Sequence, residues 1–102
     1  MSTLHTVNKS PFERSTLGSC LDHLLPGDAV LILEDGVVGA RKATGFADRI
    51  AAAAKSNAVC VLGEDLAARG MTEGDLIDGV KVVDYGGFVD LVTEHDRTQA
   101  WL

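Results

Sequence analysis

Apolar residues in this chain fall into short unbroken runs separated by stretches with helical spacing. Ala29-Val30-Leu31-Ile32-Leu33 is bounded by Pro26-Gly27-Asp28 and by Glu34-Asp35-Gly36, and Ala58-Val59-Cys60-Val61-Leu62 repeats the pattern. Runs of that length between turn residues predict strands covered on both faces, as in a parallel sheet. Thr3-Leu4-His5-Thr6-Val7, rich in β-branched side chains, predicts a first strand that ends at the turn Asn8-Lys9-Ser10-Pro11. Val80-Lys81-Val82-Val83 predicts a fourth.

Between these runs the period changes. Ser10, Pro11 and Glu13 have the form of an N-cap, a first-turn proline and the far side of a capping box. They predict a helix over 10–25, with Leu17, Cys20, Leu21 and Leu24 on one buried face. Segment 37–45 is ambiguous, after which Phe46, Ile50, Ala53 and Ala54 mark a second helical face. A short helix over 64–69 is closed by Gly70. Asp84-Tyr85-Gly86-Gly87 predicts a turn, followed by a helix over 88–96 that buries Phe88, Leu91 and Val92, with Trp101 in a short tail. Four strands alternating with helices, joined by connections too long for hairpins, predict the α/β class with a small, mostly parallel sheet and helices on both faces. So small a sheet leaves apolar surface for a partner.

Length and composition narrow the function classes. With 102 residues the chain is expected to form one domain over 1–102, and 46% apolar against 24% charged residues exclude intrinsic disorder. A formal charge of -6 repels phosphate backbones and anionic bilayers, so neither nucleic acid nor a membrane is expected as a direct partner. No run approaches the roughly 18 apolar residues of a membrane span, and the first residues have no leader pattern. Two cysteines without CxxC spacing read as reduced thiols, so a soluble cytoplasmic protein is expected.

In open parallel sheets ligands bind beyond the carboxyl ends of the strands, here the turns around Asn8, Glu34, Gly63 and Asp84. None has the glycine pattern of a dinucleotide site or a P-loop, so no organic cofactor is expected. Glu34, Asp35, Glu64, Asp65 and Asp84 resemble the magnesium cluster of receiver domains, but solvated turn carboxylates are the commoner reading. His5, His23 and His95 lack metal-ligand spacing, and no metal is expected. His5 reads as a half-buried core residue satisfied by a backbone group, and His95 as surface. Cys60, inside an apolar run, reads as core. Cys20 is the one candidate for chemistry: His23 stands three residues on, where an imidazole favours a nucleophilic thiolate. Its leucine neighbours favour an inert buried thiol instead.

Several segments are familiar together: Leu4-His5-Thr6-Val7-Asn8-Lys9-Ser10-Pro11, Glu34-Asp35-Gly36-Val37, Glu64-Asp65-Leu66-Ala67-Ala68-Arg69-Gly70 and Asp84-Tyr85-Gly86-Gly87-Phe88-Val89-Asp90-Leu91, with a terminal Trp101. Over almost its whole length the chain resembles the DsrH/TusB family. That resemblance implies a flavodoxin-like, DsrEFH-like three-layer fold and a cytoplasmic subunit of a heterohexameric sulfurtransferase. Its partners would be sister subunits of the DsrE/TusD and DsrF/TusC types, and a DsrC/TusE-type carrier would receive persulfide sulfur. The best-attested sulfur-bearing cysteine of such complexes lies on the DsrE/TusD-type subunit. Because DsrH-type members carry a cysteine on the first helix, Cys20 becomes a candidate catalytic persulfide carrier, and oxidation of stored sulfur the expected pathway. The alternative is a non-catalytic structural subunit of a TusBCD-like complex serving 2-thiolation of the tRNA wobble uridine. If the leucine stripe faced a sister subunit, Cys20 would lie at an interface open to a carrier.

Overall fold

A computed structural model describes residues 2–42 and 44–102; Met1 and Ala43, the second within the ambiguous segment 37–45, lie outside the described residues. The elements run β1 (Thr3–Val7), α1 (Thr16–Asp22), β2 (Ala29–Ile32), α2 (Ala47–Ser56), β3 (Ala58–Leu62), α3 (Gly63–Ala68), β4 (Lys81–Val83), α4 (Tyr85–Glu94) and β5 (Arg97–Trp101). The five strands form one sheet in the order β4-β3-β2-β1-β5, and each neighbouring pair is parallel.

This order explains how the helices are shared between the faces. The first three crossovers step in one direction across the sheet, and right-handed connections then carry α1, α2 and α3 to the same side. The fourth runs back from β4 to the far edge beside β1, which sends α4 to the opposite side. Strand alternation supplies each side with its core. Val7, Val30, Ile32, Val59 and Val61 pack with Leu17, Cys20, Ile50 and Leu66 on the first face. Leu4, Ala29, Leu31 and Cys60 pack with Phe88 and Leu91 on the second. Burying each large apolar side chain contributes about 1.5–3 kcal/mol, so the first face carries most of the stability.

The α/β class and the parallel sheet are as expected, and the differences are local. Residues 97–101 form a fifth strand instead of a tail. Arg97, Thr98, Gln99 and Ala100 are exposed, so no apolar alternation marks the segment, and the backbone pairing with β1 creates it. The first helix starts at Thr16 instead of Ser10. Ser10 Oγ accepts the amide of Phe12 at 3.2 Å, and the Ser10 carbonyl accepts those of Glu13 and Arg14, so the expected capping box is replaced by a separate turn. The helix also stops early, at Asp22. The Asp28 carboxylate takes the Leu25 amide at 3.2 Å and draws the chain off the helical path. The last helix begins at Tyr85, because Asp84 caps it through the Gly87 amide at 2.8 Å and the glycines enter the first turn.

The ambiguous segment begins within a 3₁₀ turn over Glu34–Ala40 that lies against the end of β1. A Cβ on Gly36 would stand 2.7 Å from the carbonyl oxygen of Val7, and one on Gly39 would stand 2.7 Å from the Pro11 ring. Glycine alone permits that approach.

Candidate functional site

The carboxyl ends of the strands come together at one rim of the sheet, and the turn carboxylates there are engaged with the protein itself. Asp65 accepts the Glu34 amide at 2.6 Å, Asp35 pairs with Arg69 at 2.8 Å, and Asp84 caps α4. Glu34 has a φ of 51°, a left-handed conformation that costs a non-glycine residue about 1 kcal/mol. The Asp65 bond and the Leu33 amide bonded to the Val7 carbonyl at 3.0 Å hold it there. Among the described residues no three His, Cys, Asp or Glu side chains converge to hold a metal ion. An open crevice of about 690 Å³ lies between α3, β4 and the start of α4, lined in part by Gly63, Glu64, Val83, Asp84 and Gly87. It offers two exposed carboxylates and no nucleophile.

Both thiols lie away from that rim. Cys20 is fully buried on α1 against the first core, and the leucine stripe around it packs on the sheet: Leu17 is buried, and Leu21 and Leu24 cover the same cluster. The stripe therefore faces inward, not toward a partner. Burial, and then the nearby negative charge of Asp28, push the Cys20 thiol up to about 12. His23 turns elsewhere. Its Nδ1 lies 2.7 Å from the Ser19 carbonyl, and its ring tilts against Trp101 with centroids 5.5 Å apart. Cys60 is buried in the second core; burial raises its thiol, and Lys81 offsets part of that.

The strongest polar constellation was not visible as such in the sequence. His5 is buried, and its partners are side chains instead of the expected backbone group. Its Nε2 lies 3.0 Å from Asp28 Oδ2, and its Nδ1 accepts the indole N–H of Trp101 at 3.0 Å. Burial alone would raise Asp28. The imidazole and the amides of Thr3 and Leu25 outweigh it and hold the carboxyl below its ordinary range. The three residues are up to 96 positions apart and meet only because β5 pairs with β1. A polar tail carrying the tryptophan was the one available signal. His95 is partly buried, with Nδ1 2.7 Å from the Leu91 carbonyl.

The exposed surface of α4 carries an apolar stripe beside the polar Asp90, Thr93 and Glu94. Tyr85, Val89 and Val92 follow the i, i+4, i+7 spacing of one stripe and are exposed, Val89 at 61%. Val92 was expected to be buried, but the sheet is met by the Phe88 and Leu91 side of the helix. No helix among the described residues is long and apolar enough to cross a membrane.

Comparison with known proteins gives a consistent relationship. The crystal structure of ychN protein from E. coli superposes with a TM-score of 0.83 at 15% identity, covering 99% of this chain and 100% of that one, a likeness of fold. Protein TusB of Pectobacterium parmentieri is 38% identical over 98 residues, 96% of this chain and 99% of that protein. Protein TusB of Escherichia coli (strain K12) is 35% identical over the same shares. The family model described as DsrH like protein matches residues 9–98. With that match and full-length identity of this order, the chain belongs to the DsrH/TusB family.

Proposed function

We propose that this chain is a non-catalytic subunit of a cytoplasmic TusBCD-like sulfur-relay complex serving 2-thiolation of the tRNA wobble uridine. Its work is to complete the assembly with TusC- and TusD-type sister subunits and to shape the surface on which a TusE-type carrier docks. The observation that carries this reading is the burial of both thiols. Sulfur transfer needs a thiolate that attacks the outer sulfur of a donor persulfide, and a fully enclosed thiol pushed up to about 12 is neither ionised nor reachable. The names of the relatives favour the tRNA branch over oxidation of stored sulfur. The exposed stripe of α4 supplies apolar surface for a sister subunit.

One observation favours a second reading, in which Cys20 relays persulfide in a DsrEFH-like complex: the residue sits on the first helix, where DsrH-type members carry their cysteine. That role requires the seven-residue α1 to lift from the sheet during transfer. The test is Cys20→Ser in the complex reconstituted with its sister subunits, with a sulfur donor and a carrier. A structural subunit leaves transfer within about twofold of wild type, and mass spectrometry finds no gain of about 32 Da on this chain. A persulfide adduct on the wild-type chain, together with loss of transfer in the variant, overturns the structural reading.

A further inference from the structure

Trp101 is the single tryptophan of the chain and the one residue of β5 that is partly buried. The edge strand is therefore held by its backbone pairing to β1 and by this indole, which packs against the first core and bonds His5. An indole nitrogen only donates, so Nδ1 of His5 must be the unprotonated nitrogen and Nε2 must carry the proton that faces Asp28. The chain of bonds runs one way, from Trp101 to His5 to Asp28, and it exists only for neutral imidazole. A second proton would set N–H against N–H across 3.0 Å.

We propose that His5 is a proton-operated latch on the C-terminal strand: neutral, it holds Trp101 and keeps β5 on the sheet edge; protonated, it keeps Asp28 and releases the indole. The two partners differ in what they need from the ring. Asp28, which also takes the Thr3 and Leu25 amides, accepts from Nε2 in either state, whereas the Trp101 N–H has an acceptor only on the neutral ring. The other groups around the latch are known. Cys20 of α1 stays an uncharged thiol, and His23 at the end of α1 lies against the indole with its Nδ1 held at the Ser19 carbonyl. On β5, Arg97 shares the face of Gln99 and Trp101 by strand alternation, and Asp96 just before the strand takes the Ser2 amide. From the side of β3, Asn57 is neutral and donates to the Asp28 carbonyl at 2.9 Å. Release of β5 uncovers the backbone donors and acceptors of the β1 edge, so the latch sets how firmly that edge is capped. It does not depend on the sulfur-relay reading.

The single tryptophan makes the test direct. Tryptophan emission and amide exchange of residues 97–101 are followed in the full-length chain from about pH 8 to about pH 5, the range in which imidazoles titrate. The expected result is one transition in which emission shifts to the red and these amides exchange about tenfold faster than their intrinsic pH dependence allows, while amides of β2 and β3 stay protected. His23→Gln keeps the transition. His5→Gln removes it, and Trp101→Phe, which has no donor, removes the step in exchange should the first variant fold poorly. A wild-type chain with flat emission and exchange, or a transition that survives His5→Gln or disappears in His23→Gln, overturns the latch.

Discussion

The carboxylate of Asp28 lies close enough to Cys20 for its negative charge to oppose ionisation of the thiol, adding to the larger effect of burial. The same carboxylate is stabilised on its other side by His5 and two backbone amides. One buried anion thus adds to the burial that keeps the sulfur protonated, and ties the turn before β2 to β1.

Thiol reactivity follows from the first half of that relationship. In the native chain at about pH 8, alkylation of Cys20 is expected to be at least about a hundredfold slower than in the unfolded chain, measured by mass-resolved labelling. The folded thiol, at about 12, stands above the ordinary 9.0, so the native state binds this proton more tightly. Its contribution to stability is complete below pH 9.0 and is lost as pH rises toward about 12, which denaturant titrations at alkaline pH would register.

Acid acts in the opposite sense on Asp28. Its folded carboxyl is held below the ordinary 3.8, so the stability it adds is present above that value and is lost as pH falls through the lowered one. Asp28→Ala leaves His5 and the Thr3 and Leu25 amides without their acceptor, and about 3 kcal/mol of unfolding free energy is expected to disappear in urea titration. Asp22→Ala, which removes the carboxylate paired with Arg49 at the surface, should change stability by less than about 1 kcal/mol.

Close approach at the sheet rim predicts a sharp contrast between glycines. Gly36→Ala places a methyl against the Val7 carbonyl and is expected to cost about 1–3 kcal/mol. Gly74→Ala, where the nearest atom is 3.7 Å away, should stay within about 0.5 kcal/mol. Thermal unfolding of the two variants side by side checks this.

The two sides of α4 are expected to separate folding from assembly. Phe88→Ala removes a ring from the second core and should cost about 3 kcal/mol in the isolated chain. Val89→Lys, on the exposed stripe, should leave the melting temperature of the isolated chain within a few degrees while abolishing co-elution with the co-expressed sister subunits. Co-elution that survives the lysine would move the contact surface off this helix.

Much of the architecture was written in local pattern. The buried strands β2 and β3 are legible because a sheet covered on both faces needs uninterrupted apolar runs, and α2 because Ile50, Ala53 and Ala54 repeat with the helical period. Cys20 was legible as a residue on the first helix among leucines. The fifth strand was hidden, since an edge strand with four exposed residues has no face to bury. The helix starts failed for a related reason: whether Ser10 and Asp84 cap a helix or close a turn depends on which amides the rest of the chain brings within reach.

The sequence by itself determined the alternation of strand and helix, the parallel class and the two cores, because burial imposes a period on neighbouring residues. Only the tertiary structure decided that Trp101 bonds His5, that His5 meets Asp28, and that the leucine stripe beside Cys20 turns inward. Those contacts join residues from separate strands and turns. Their energies depend on the order in which the strands assemble, which no local period records.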